Sequence, residues 1–267
     1  MRGKPQRFAE HYTQAELFWR SQTPVEQAHI VRAFRFELTR VQTPGIRRRV
    51  VAQLTNVAAD LADAVAAVLG IERPPPLPKA APKVAAPEVT SSPALSLSSR
   101  PGEPTVATRR VALLVADGLD AATVTGLHAK LAAAGAVPRF VGPSLGAVTA
   151  ADGVSIPVEV TMEAAPSVLW DALALPGGAA AVEALMAQGY ALDFVRDQYR
   201  HGKAIFVPPG AEALLRKLGV PRTLASGAID PGLVFTDDAE LAAAMDAFCA
   251  AIGRHRSFAR ESDPPAV

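Results

Sequence analysis

The sequence predicts an α/β protein with a doubly wound parallel sheet, preceded by a small all-helical segment. Three observations carry this prediction. Short apolar runs at Arg110–Ala116, Val137–Val141, Asp171–Leu175, Ala204–Val207 and Gly232–Thr236 alternate with helical stretches. Residues 6–71 show helical spacing alone, and a proline-rich stretch separates the two parts. Parallel strands need crossover connections, so the alternation of strand and helix implies a sheet covered on both faces.

Within the first part, Thr23-Pro24-Val25-Glu26 has the spacing of a capping box with proline at the first helical position. A helix is expected from Pro24 to about Arg40, with Ile30, Phe34, Leu38 and Val41 along one stripe. Phe36 falls on the other side, so both faces call for cover. Pro44 and Gly45 interrupt the pattern, and a second helix is expected from about Ile46 to Leu69, stopped by Gly70. The basic run Arg47-Arg48-Arg49 reads as a solvated or interface-paired helix face. His11 and His29 read as surface or interface residues, since no carboxylate or cysteine cluster stands at ligand spacing.

Residues 72–108 are rich in proline, alanine and serine and read as a linker, because proline removes backbone donors and favours extended chain. The boundaries expected are 1–71 for the helical segment, 72–108 for the linker, 109–260 for the α/β domain and 261–267 for a tail. In that domain a helix from Asp120 to Ala134 closes near Gly135, and a last helix runs from Asp238 to about Gly253, with Asp237 and Glu240 as its cap.

A formal net charge of +1 gives no pull toward nucleic acid. No apolar run is long enough to cross a bilayer and the opening lacks a secretory pattern, so no membrane partner and a cytoplasmic location are expected. The single cysteine, Cys249, shares a helical face with Leu241, Met245, Phe248 and Ile252, which marks a structural thiol.

In an open parallel sheet, function gathers where the strands end. There stand Asp117-Gly118, then Pro176-Gly177-Gly178, then Pro208-Pro209-Gly210. The Gly177-Gly178 pair reads as a tight strand-to-helix turn, and His201 as a helix C-terminal residue. Asp171–Gly178, followed by a helix ending near His201-Gly202-Lys203 and then by Ala204–Val207, resembles the class I glutamine amidotransferases and intracellular cysteine proteases. That resemblance implies a cysteine nucleophile at the elbow after Val207, assisted by an acidic residue after the first strand. Here the elbow is Pro208-Pro209-Gly210, which has no nucleophile, and the prolines have no N–H to offer an oxyanion. Asp117 holds the acidic place as a vestige, and no catalytic, cofactor-binding or metal-binding residue is assigned.

The phrases Phe8–Tyr12, Leu17–Gln22, Thr23–Ile30, Phe36–Leu38 and Ile46–Val51 resemble the helices that follow the haem barrel in monofunctional catalases. The large-subunit members of that family add a linker and a flavodoxin-like domain in this same order, so the resemblance covers nearly the whole chain. It implies a homotetrameric haem enzyme that converts hydrogen peroxide to water and oxygen under oxidative stress. The haem-binding residues it implies belong to a region upstream of this chain. The family's iron-ligating tyrosine follows an arginine by four positions, whereas Tyr12, Tyr190 and Tyr199 follow Phe8, Met186 and Val195. No haem is therefore expected in this chain. The role expected is that of a non-catalytic accessory region, structural, oligomer-forming or chaperone-like, whose partner is a copy of itself or a haem barrel. Two other roles stay open: a hydrolase, amidotransferase or glyoxalase-like enzyme, and a subunit completing a split catalase.

Overall fold

The computed structural model describes residues 9–81, 86–99, 104–236 and 239–267. The chain divides into two compact units, Met1–Gly102 and Glu103–Val267.

The first unit is helical: α1 (Thr13–Ser21), α2 (Pro24–Arg40), α3 (Pro44–Thr55) and α4 (Ala59–Leu69). Helix α2 starts and stops where its sequence signals place it. The capping box is formed, with Thr23 N–H donating to Glu26 Oε2 at 2.9 Å and Glu26 N–H to Thr23 Oγ1 at 3.4 Å. The single helix expected over 46–69 is instead two. Ala58 is extended, and the Asn56 side chain donates to the Leu77 carbonyl at 2.9 Å. The physical reason is cover: a straight helix would display Val51, Leu54, Leu61 and Val65 on one open stripe, whereas the break lets them enter a shared core. Gly70, left-handed at φ 66°, closes α4 as expected. Cover for both faces of α2 is not supplied within this unit: Phe34 packs on the core, but Phe36 stays 56% exposed, with the Arg40 guanidinium 3.8 Å from its ring centre.

The described parts of the proline-rich segment run along these helices. Thr55 Oγ1 donates to the Pro74 carbonyl at 3.3 Å, and Ser92 N–H donates to Ser21 Oγ at 2.8 Å. Further along, Glu26 accepts from the Ser96 hydroxyl at 2.7 Å and from the N–H groups of Leu97 and Ser98 at 2.9 and 3.1 Å. Partial burial works against the Glu26 charge, but the Thr23, Ser96 and Ser98 donors outweigh it and hold the carboxyl down at about 2.

The second unit is a flavodoxin-like α/β sandwich. Its order is β1 (Arg110–Leu114), α5 (Ala121–Ala133), β2 (Val137–Gly142), β3 (Gly146–Thr149), β4 (Ser155–Val158), β5 (Val160–Thr161), β6 (Ala172–Ala174), α6 (Ala179–Met186), α7 (Gly189–Arg200), β7 (Ala204–Val207), α8 (Glu212–Lys217), β8 (Leu233–Phe235), α9 (Leu241–Gly253) and α10 (Ala259–Ser262). Six strands form one parallel sheet in the order β5-β2-β1-β6-β7-β8. Its direction of growth reverses between β1 and β6, the switch point at which such sheets open a crevice. Strands β6 and β7 are buried throughout, which is why they read as continuous apolar runs.

Every strand expected from an apolar run is present, trimmed by a residue or two at some ends. Helix α5 starts one residue later than expected, because Asp120 is its cap and accepts from the N–H groups of Ala122 and Thr123. Helix α9 begins at Leu241, and the cap expected from Asp237 lies outside the described residues. The antiparallel hairpin β3–β4 and the short edge strand β5 have no counterpart among the expected strands. Their sequence, broken by Gly153 and Pro157, carries too short an alternation to declare itself.

Candidate functional site

The crevice at the carboxyl ends of the strands gathers the three turns singled out from the sequence. Asp117 follows β1, Gly177-Gly178 follows β6, and Pro208-Pro209-Gly210 follows β7. The last two approach each other, since a Cβ built on Gly177 would stand 3.9 Å from Pro208 Cβ.

The β1 turn is tied to the β3–β4 hairpin. Asp117 Oδ1 accepts from the Thr149 N–H at 2.8 Å, Gly118 N–H donates to the Thr149 carbonyl at 2.7 Å, and Ala151 N–H donates to the Leu119 carbonyl at 3.0 Å. Asp117 is thus the residue whose side chain ties the hairpin to the end of β1, a structural use that β1 alone could not disclose. Opposite it, Asp120 N–H donates to the Gly177 carbonyl at 3.1 Å. Gly178 has φ 93°, and any Cβ there would run into the Gly118 carbonyl oxygen. The glycine pair therefore serves a tight turn pressed against its neighbour.

At the elbow, Pro208 is buried while Pro209 and Gly210 are exposed. Gly210 turns through φ 82°, and the Pro208 carbonyl accepts from the Ala211 N–H at 3.1 Å as α8 begins. Neither proline can donate to an oxyanion or attack a carbonyl. Cys249 sits on α9, partly buried beside the core, where burial pushes its thiol up and away from the reactive thiolate. His201 caps the end of α7, its N–H donating to the Asp197 carbonyl at 2.9 Å.

In the helical unit, Arg47 caps the end of α2, donating from Nε to the Val41 carbonyl at 2.7 Å and from a terminal nitrogen to Thr39 at 3.3 Å. Arg48 and Arg49 are exposed. His11 is exposed and His29 half-buried. Among the described residues, no three histidine, cysteine or carboxylate side chains converge as metal ligands.

Haem requires a tyrosinate, or a similar donor, facing an open pocket. Tyr199 is buried, and burial, with the Asp230 charge adding to it and Arg260 opposing, pushes its phenol up to about 12. Its ring lies 4.2 Å from the Arg260 guanidinium. Tyr190 is largely exposed on α7, and Tyr12 has the Lys79 ammonium 5.5 Å from its ring.

Sequence reasoning passed over the buried polar groups at the other end of the sheet. Arg260 and Asp230 pair at 2.7 Å with side chains 3% and 0% exposed. Lys203, 2% exposed, donates to the Ser167 carbonyl at 2.6 Å. Burial, reinforced by the Arg256 charge, lowers its ammonium to about 8. Partners 30 and 36 residues apart on irregular segments leave no periodic trace.

Comparison with known proteins agrees with this fold. The model of the C-terminal domain found in long catalases matches residues 107–262, and one described as catalase-related immune-responsive matches residues 5–69. The chain belongs to the long-catalase family. It is 39% identical to catalase HPII of Pseudomonas putida over all of its own length and 35% of that protein's. Catalase HPII of Pseudomonas aeruginosa is 36% identical over 100% of the chain and 36% of the relative, and catalase-1 of Neurospora crassa 32% identical over 98% and 37%. The chain thus corresponds to the C-terminal portion of long catalases and spans about a third of the relatives' length. No helix among the described residues is long and apolar enough to cross a membrane.

Proposed function

We propose that this chain acts as a structural accessory region of a haem catalase, without breaking down peroxide by itself. The observation that carries the proposal is the crevice: its three turns are occupied by a hairpin anchor, a glycine turn and a pair of prolines. A long-catalase C-terminal domain without a nucleophile contributes shape and surface rather than chemistry. Peroxide dismutation and haem belong, on this reading, to the part of the long catalases that this sequence does not span.

The partner is a haem barrel or a second copy of this chain, docking through the exposed apolar residues of the helical unit. Phe18 and Phe36 are about half exposed, and a docked partner would cover them. The lone cysteine accords with a reducing, cytoplasmic setting. Chaperone-like capture of unfolded chains would use the same surface.

The test is a haem titration of the purified chain with a Soret absorbance readout, alongside oxygen release from peroxide and sedimentation of the chain with and without a catalase barrel. The expected result is no stoichiometric Soret band, no oxygen, and a sedimenting species larger than one chain. Haem bound one to one, with oxygen released by the chain alone, would defeat the proposal. Oxygen released only on mixing with a barrel that is itself inactive would favour a split catalase instead.

A further inference from the structure

At the amino ends of β7 and β8, opposite the crevice, a cavity of about 180 Å³ is lined by Ala204, Gly232, Arg254, Arg256, Ser257 and Phe258 among others. Its two arginines are committed only to backbone carbonyls. Arg254 donates to Pro231 at 3.2 Å and Arg256 to His255 at 2.9 Å. Neither pairs with a carboxylate among the described residues.

A third guanidinium stands behind the cavity wall. Arg260 uses Nε on Asp230 and one terminal nitrogen on the carbonyls of Tyr199 and Lys203, at 3.1 and 2.9 Å. Its other terminal nitrogen is buried with no partner. That nitrogen lies against Gly232, where an added Cβ would stand only 2.5 Å away. Any side chain at Gly232, which lines the cavity, would therefore displace that nitrogen. Two carboxylates close by are already engaged: Asp230 holds Arg260 and the Gly232 N–H, and Asp171 holds the Arg110 N–H at 2.9 Å.

We infer that this cavity binds a small tetrahedral oxyanion, a phosphate or the phosphate end of an ester, between Arg254 and Arg256. Arginine forks match such oxygens in a charge-assisted, bidentate way, and the cavity volume admits a group of that size. Burial lowers the Arg256 guanidinium from its usual range, with the neighbouring Asp171 opposing and Arg109 adding, so an incoming anion would relieve an unfavourable charge. The apolar wall from Ala204, Ala251 and Phe258 could accept a short organic part.

The experiment is calorimetric titration of the full chain with inorganic phosphate, then with glycerol 2-phosphate, at an ionic strength matched with sodium chloride. Binding with a Kd on the order of 1 mM or tighter is expected, weakened about tenfold by Arg254→Gln and by Arg256→Gln. A stronger response to the ester assigns an organic phosphate, and an equal one assigns the free ion. No heat above the chloride control, or unchanged affinity in both variants, would overturn the inference. Far-UV circular dichroism checks folding, and should Arg256→Gln fail to fold, the exposed Arg254 variant decides alone.

Discussion

The two units are held together by different means. In the α/β unit the central strands are sealed on both faces, and most of the residues buried around them are apolar. In the helical unit the apolar core is small, and the proline-rich segment adds polar ties, three of which converge on one carboxylate, Glu26. A large unit can absorb a buried ion pair such as Asp230–Arg260 into its core. A small one gains order from hydrogen bonds at its rim, since it lacks apolar area to offset the entropy of ordering.

The largest effect should come from breaking the buried pair. Arg260→Ala leaves Asp230 buried without its cation, and should cost the α/β unit about 3–5 kcal/mol in urea unfolding. The double variant Arg260→Met with Asp230→Leu should recover much of that loss. Because the pair belongs to one unit, the helical unit's transition should stay in place. A common shift of both transitions would break the comparison.

A smaller effect is expected at Glu26. Glu26→Gln removes the charge from a partly solvated hub, and solvent screening limits the loss to about 1–2 kcal/mol in the helical unit. Its folded value of about 2 lies below the ordinary 4.5, so its contribution is complete above pH 4.5 and fades as pH falls through about 2. Acid titration of helical-unit stability should show that fade in the parent and a flatter profile in the glutamine variant. Equal slopes in the two proteins would remove the carboxylate from its role.

The smallest effect should be at Cys249. Cys249→Ser should change stability by no more than about 1 kcal/mol. Because burial raises its thiol, reaction with a disulfide reagent at pH 8 should be several-fold slower in the folded chain than in the urea-unfolded one. Rapid modification of the folded chain would mean that α9 opens more readily than its packed face suggests.

Much of the α/β unit was legible in its sequence, because buried parallel strands are written as unbroken apolar runs and Asp120 and Gly178 mark helix starts. Helix α2 was legible for the same kind of local reason, its capping box. The crevice was legible only in part. Its three turns could be located from strand ends, but the partner of Asp117 could not, since Thr149 lies 32 residues away on a hairpin without a clear alternation.

The sequence alone determined the alternation of strand and helix, the proline elbow and the start of α2, because each rests on backbone sterics or on donors within four residues. Tertiary structure alone decided the break at Asn56, the anchoring of the hairpin by Asp117 and the pairing of Asp230 with Arg260. Each of these joins residues distant along the chain, and a side chain's spacing from its neighbours carries no record of a partner that only folding brings near.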